Sequence, residues 1–279
     1  MTATMSNVWD RTAEFLSDNL VPLTPLVLLG MFVPLTLLGS LMPLIGSSGA
    51  AGDTTLGAIV LLLSLVTSWA GIAITALAFD PGAGRGAAVR LANRRFLPIL
   101  GIGLLTLLAV LLLTFPIFFA FGLSGMNMTA LASGKLQPGD VNGGTVVFVT
   151  FYALALFVAL FWAYARFVVL VTPIMVMERR GLGVYARNFV LTRHVAWKVI
   201  GVLLLYVALS WVASTAAKTV AGTVFALLIG GQGPITLAGV LTQIIVAGVS
   251  TIFSVLAVVF LAKLYLATRD TSQAIVEAS

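Results

Sequence analysis

Six long apolar stretches, separated by short polar segments, constrain this chain more than any motif it contains. They run roughly over 21–45, 56–78, 97–121, 146–171, 199–220 and 237–266. Each supplies the ~20 helical residues that a hydrocarbon core of ~30 Å requires. The runs are too long for outer-membrane strands and lack a period-two alternation, so helices are the spanning solution that satisfies the backbone. Hydrophobic residues make up 60% of the 279 and charged residues 9%, where a soluble domain has roughly a quarter charged. The stretches leave no room for a separate soluble domain. The expected fold is all-α, a polytopic membrane helix bundle of about six transmembrane helices plus amphipathic interfacial helices. Residues 1–20 read as an amphipathic interfacial helix, 21–269 as one transmembrane domain and 270–279 as a tail.

Orientation follows from the cations, which translocate poorly and mark cytoplasmic segments. With the amino terminus inside, the cytoplasmic segments and helix ends carry Arg11, Arg85, Arg90, Arg94, Arg95, Arg166, Arg179, Arg180, Arg187, Arg193, Lys198, Lys263 and Arg269, leaving Lys135 and Lys218 for the other side. Both termini are therefore expected in the cytoplasm. The formal charge of +6 is a topology signal first, although an anionic leaflet attracts such segments by ~1 kcal/mol per exposed cation. Nucleic acid is not implied as a partner. Asp10, Arg11, Glu14 and Asp18 give a net negative start, unlike the basic start of a cleaved signal, so the first apolar stretch is expected to remain as a span. Val8, Trp9, Phe15, Leu16 and Leu20 fall near one side of a helix, with Asp10, Glu14 and Asp18 on the other. That acidic row reads as a solvated face rather than a metal site.

The connections divide by character. Segments 46–53 (GSSGAAGD) and 230–234 (GGQGP) are turn-rich outer loops, and 122–145 is the longest outer loop, with a formal glycosylation acceptor at Asn127, Met128 and Thr129. The cytoplasmic connections 79–96 and 177–198 read as amphipathic helices. In the first, Ala88, Leu91, Ala92 and Phe96 face one way and Arg90 and Arg94 another; in the second, Leu182, Tyr185 and Phe189 share a spacing, with Arg180 and Arg187 seven apart. GAAVRLANRRFLPILGIGLL is weakly similar to GVYARNFVLTRHVAWKVIGVLLL, a hint of two like hairpins in the same orientation.

Catalytic constellations are sparse. Zero cysteines and one histidine exclude the usual zinc, haem and iron–sulfur ligand sets, and no metal or other cofactor is expected. Gly122, Leu123, Ser124 and Gly125 spell the G-x-S-G of rhomboid-type proteases, yet they lie at a helix exit and His194 lies in a loop on the opposite side. PGAGRG at 81–86 follows a membrane helix and lacks a G-K-[ST] ending, so it is a turn. No catalytic residue is assigned and no enzymatic activity is expected.

Polar groups within spans are costly in hydrocarbon and often functional. Ser64, Ser68, Gly71, Thr75 and Ala78 share a face of the second stretch, Ser210, Ser214, Ala217 and Ala221 one of the fifth, and Gln243, Ala247, Ser250, Ser254 and Ala257 one of the sixth. Small residues at this spacing serve close helix packing, within the bundle or in a homo-oligomer. The sharper reading is a mildly polar path lined by Ser64, Ser68, Thr75, Gln243, Ser250 and Ser254. Arg166 is the exception among charges. It falls ~30 Å along a helix from Val146 at 1.5 Å per residue, at the inner interface, with Trp162 and Tyr164 as an aromatic belt. The apolar run continues past it through Pro173, so the fourth helix is expected to be long and bent, emerging at Glu178, Arg179 and Arg180. Arg166 either snorkels or pairs with Glu178, or it forms an anionic headgroup site with Arg187 and Arg193, within a candidate headgroup or partner-contact set of Arg166, Glu178, Arg179, Arg180, Arg187 and Arg193.

The run RFVVLVTPIMVMERRGLGVYARNFVLTRHVAWKVIGVLLL resembles bacterial six-span inner-membrane proteins related to the membrane domain of glycerophosphoryl diester phosphodiesterases. An arginine, a proline, a glutamate–glycine turn, a short helix and a further span are matched by Arg166, Pro173, Glu178, Gly181, Tyr185, Leu191 and Trp197. Asn188 stands where a serine is common and His194 near the usual glycine. The chain shows no counterpart of the soluble phosphodiesterase domain, so the resemblance implies a six-span bundle of the bacterial inner membrane without that enzymatic activity. The favoured reading is a non-enzymatic membrane scaffold or lipid- or protein-interaction subunit, with anionic membrane lipids or a membrane protein as partner. The alternative is a small-molecule or lipid transporter or channel.

Overall fold

The computed structural model describes residues 5–46, 49–124, 142–178, 181–193, 195–230 and 236–277. Arg179, Arg180, His194, the Asn127 acceptor, Lys135, Gly125 of the G-x-S-G and most of the outer-loop residues lie outside the described residues. The chain is an all-α bundle: α1 (Met5–Asp18), α2 (Leu20–Val27), α3 (Val33–Leu41), α4 (Gly49–Phe79), α5 (Gly84–Leu123), α6 (Gly143–Ala163), α7 (Val171–Glu178), α8 (Gly183–Thr192), α9 (Ala196–Ile229) and α10 (Leu237–Glu277). Six helical stretches are long and apolar enough to cross a membrane: Leu20–Leu44, Ala51–Phe79, Gly84–Leu123, Gly143–Glu178, Ala196–Ile229 and Leu237–Asp270. This is a multi-pass membrane protein, and the six stretches match the apolar runs of the sequence to within a few residues at most ends.

Packing is concentrated at the end of the bundle that carries both termini. From Ala70 to Ala78, α4 is buried on nearly every side, with α7, α10 and the first span around it. By contrast, the apolar windows of α5, α6 and α9 bury little or nothing within the protein, as expected of helices whose outer surfaces face hydrocarbon rather than water. The first span is broken by a π-helical turn at Leu28–Phe32. Within that turn Gly30 comes so close to α4 that a Cβ built on it would lie 2.5 Å from the Ala70 Cβ. A glycine facing an alanine is how membrane helices bring backbones together.

Three features refine the sequence expectations. Residues 84–96 do not form a separate interfacial helix but are the first three turns of α5. Ala88 and Ala92 face the core as expected, with Leu91 and Phe96 packed against it. α1 packs on α10 through Val8 and Phe15, with the Trp9 ring 4.7 Å from Phe260, while Asp10, Glu14 and Asp18 are exposed. In α8 the buried face is Val184, Asn188, Leu191 and Thr192. Leu182 and Phe189, which the spacing placed on a common apolar face with Tyr185, are exposed. In a membrane an apolar face need not turn inward, because lipid receives it as well as protein does.

Lys263 ties three elements of the basic end together. Its Nζ donates to the Ala78 carbonyl at 2.8 Å, at the C-terminal end of α4, and lies 4.7 Å from the Phe15 ring centroid in α1. A cation at a helix C-terminus meets both orphan carbonyls and the negative end of the dipole. Lys263→Met is expected to lower stability by about 1–2 kcal/mol, the range for losing a charged hydrogen bond and orphaning its acceptor. Thermal unfolding in detergent checks it, and Lys263→Arg, which keeps the cation and a donor, should recover most of the loss.

Candidate functional site

The fourth span carries the site. After α6 the helix widens into a π-helical turn over Tyr164–Val168, where the Val169 N–H reaches the Tyr164 carbonyl at 2.9 Å, and two further residues lead into α7. Such a turn inserts one residue into the ladder and re-aims its side chains, which is common where a side chain has a task. Here it lays Arg166 over α8: the guanidinium carbon is 4.0 Å from the Phe189 ring centroid. Phe189 stacks on Phe167 at 5.3 Å, and Trp162 meets Phe167 edge-on at 6.1 Å. The cation thus rests on an aromatic platform, an arrangement contributing ~0.5–2 kcal/mol depending on desolvation.

That platform leaves donors unused. Arg166 Nη1 is buried and has no hydrogen-bond partner among the described residues, and the same is true of both amide atoms of Asn188, a residue with no exposed surface. Thr192 joins the two elements, its Oγ1 lying 2.9 Å from the Asn188 carbonyl and 3.4 Å from the Arg166 carbonyl. A buried donor without a partner costs ~1–3 kcal/mol. The α8 junction therefore holds hydrogen-bonding capacity that the protein does not use internally, around a guanidinium whose planar fork fits phosphate or carboxylate oxygens.

The remaining charged candidates are used differently. Arg187 Nε donates to Glu178 Oε1 at 3.0 Å, and the fully buried Tyr265 of α10 donates its hydroxyl to the same oxygen at 2.9 Å. These three residues close α7, α8 and α10 against one another. Arg187 is thereby committed to Glu178, whereas Arg166 lies over Phe189. Arg193 is exposed at the C-terminal end of α8, next to Thr192. The expected set of Arg166, Arg187 and Arg193 thus divides: Arg187 is tied to Glu178, Arg166 rests on Phe189, and Arg193 is exposed.

The six residues of the polar path do not share one surface. Ser68 and Thr75 line a cleft of about 570 Å³ between α4, α5, α7 and α10, together with Thr106, Tyr164 and Thr172. Ser64 is exposed and donates to the Val60 carbonyl. Gln243 lies against Gly39 of α3, and nearby Gly248 lies against Phe32, so this stretch of α10 faces the first span. Ser254 donates to the carbonyl of Ser250 one turn back, the back-bonding by which serines are satisfied within apolar helices. On α9, Tyr206 meets the Phe253 ring and Gly222 lies against Thr242, so the half-buried face between them, with Ser210, Ser214 and Ala217, packs within the bundle along α10.

Phe189, Asn188, Thr192 and Tyr265 were not singled out as site residues by the sequence. Tyr265 is 87 positions from Glu178, so no local pattern announces the pair. Asn188 carried only a faint signal in its place, a polar amide on the helical face of Val184 and Leu191, four residues from Val184 and three from Leu191. Of the residues that carry the family resemblance, Pro173 and Leu191 are buried, Glu178 and Tyr185 are hydrogen-bonded, and Trp197 is exposed. The chain matches no family model, no curated protein and no solved structure.

Proposed function

We propose that this is a non-enzymatic multi-pass protein of the bacterial inner membrane, with both termini cytoplasmic, that acts as a scaffold or lipid-interaction subunit by holding an anionic lipid headgroup at Arg166. The observation that carries the reading is the buried, unpartnered Nη1 of a guanidinium already positioned on Phe189. Arg193 stands at the same end of α8, and the excess of cations on the terminal side supports placing that side against an anionic leaflet. Native mass spectrometry of protein released from nanodiscs tests it. Arg166→Met should reduce retention of phosphatidylglycerol relative to phosphatidylcholine by about tenfold or more, the worth of a charge-assisted hydrogen bond. In phosphatidylcholine alone the variant should lose no more than the ~0.5–2 kcal/mol of the contact with Phe189, so that reduced retention of phosphatidylglycerol in a folded variant reports the headgroup. Unchanged phosphatidylglycerol retention would refute the proposal.

A transporter or channel is the second reading, favoured by the cleft that reaches Ser68 and Thr75. The chain has no cysteine, so Ser68→Cys and Thr75→Cys are each a unique label. Reaction of either with a membrane-impermeant maleimide supports a water-accessible path; protection from both faces of the membrane removes it.

A further inference from the structure

A second cleft, of about 590 Å³, lies between α5 and α6 and is lined almost wholly by apolar side chains such as Ala109, Leu113 and Phe157. Both clefts are lined by Thr106, Val110, Tyr164 and Val168, so they adjoin across the same point of the π-helical turn. Each has the volume of a ligand pocket, typically ~300–1,000 Å³. Apart from Tyr185 of α8, the residues lining both belong to the membrane-crossing stretches, and α6 packs on the rest of the bundle so lightly that the apolar window of its span has no buried residue.

The polar groups at the junction are hydroxyls. Thr106 Oγ1 and Tyr185 OH are 2.8 Å apart, and both reach the Ile102 carbonyl, at 2.9 and 3.2 Å. Their protons are thus engaged within the protein, while oxygen lone pairs remain to accept. No hydrogen bond of the Tyr164 hydroxyl is seen among the described residues, so its proton is available to donate. The more polar cleft adds Ser68, Thr75 and Thr172, and no charged side chain among the described residues lines either one. An ionised headgroup would be desolvated there without a counter-charge, which costs far more than burying a hydroxyl.

We infer that the two clefts form one intramembrane site for an uncharged lipid, its chain lying between α5 and α6 and its hydroxyl-bearing end among Thr106, Tyr164 and Tyr185. The complementarity is twofold: an apolar trough open to hydrocarbon takes the chain, and a cluster of neutral donors and acceptors takes an alcohol and excludes a carboxylate or phosphate. The site is separate from the anionic headgroup proposed at Arg166 and stands or falls independently of it.

The test uses the full chain in nanodiscs and two photoactivatable probes of equal chain length, a long-chain alcohol and the corresponding carboxylic acid, each with a diazirine in the chain. Cross-linked peptides are mapped by mass spectrometry. The alcohol should label 105–113 and 157–168 at least several-fold above α9, whose residues such as Leu209 face the surroundings equally openly, and the acid should not. Ala109→Trp, which fills the trough, should abolish that excess, while Leu209→Trp leaves it unchanged. Tyr164→Phe removes a hydroxyl for which no hydrogen bond is seen among the described residues, so the melting temperature should change little; alcohol labelling should drop about three- to tenfold, the worth of one hydrogen bond. Uniform labelling of all lipid-facing helices, equal labelling by acid and alcohol, or indifference to both Ala109→Trp and Tyr164→Phe would each overturn the inference.

Discussion

Glu178→Ala is expected to destabilise the protein by about 2–4 kcal/mol. A buried ion pair contributes little relative to an apolar replacement of the whole pair, but removing one member leaves the other charged and desolvated, at ~3–5 kcal/mol when burial is complete. Arg187 and Glu178 keep 24% and 17% of their side-chain surface, which lowers that figure, while the loss of the Tyr265 hydroxyl's acceptor adds to it. Glu178→Gln should cost less, because an amide oxygen still accepts from Tyr265. Arg187→Met in the Glu178→Ala background should recover part of the loss, since it removes the orphaned cation. Thermal unfolding in detergent measures all three, and limited proteolysis between α7 and α8 should show the damage there first. Equal stabilities for Glu178→Ala and the parent would mean that the tie between α7, α8 and α10 contributes nothing.

Gly30→Ala is the second large effect, at about 1–3 kcal/mol, the usual cost of overpacking. A Cβ on Gly30 would sit 2.5 Å from the Ala70 Cβ, and at that distance one helix must retreat from the other. Ala70 is fully buried in the most densely packed part of α4, so the retreat opens space along the whole contact. Ala70→Gly alone should cost about 1 kcal/mol through helix propensity. In combination with Gly30→Ala it should relieve the clash, so that the double variant is more stable than the two single losses predict. Additive losses would show that the close approach is not the cause.

The apolar runs disclosed the six spans because length and hydropathy report the medium directly, and the length of the fourth span, Gly143–Glu178, was legible in an apolar run that continued past Arg166 through Pro173. The faces were less legible. In a soluble helix the apolar stripe marks the core, but here lipid and protein are equally apolar, so Leu182 and Phe189 face outward while Asn188 is buried. Pairings between distant residues were not legible either. Glu178 with Tyr265, Thr106 with Tyr185 and Trp69 with Asn93 join helices whose order around the bundle the sequence does not encode locally. Arg166 was identified from its isolation in an apolar run, whereas its aromatic platform depends on a π-helical turn that no residue type announces.

We propose that Arg166 holds an anionic headgroup, and this is the point on which the function turns. The most direct measurement is a pair of electron cryo-microscopy maps in nanodiscs, one rich in phosphatidylglycerol and one of phosphatidylcholine alone. Density the size of a phosphate is expected in the first and not in the second, within hydrogen-bond distance of Arg166 Nη1, on the α8 side of the Phe189 platform. Maps in which Nη1 is instead bonded to a side chain of the protein in both lipids, with no density beside it, would contradict the claim.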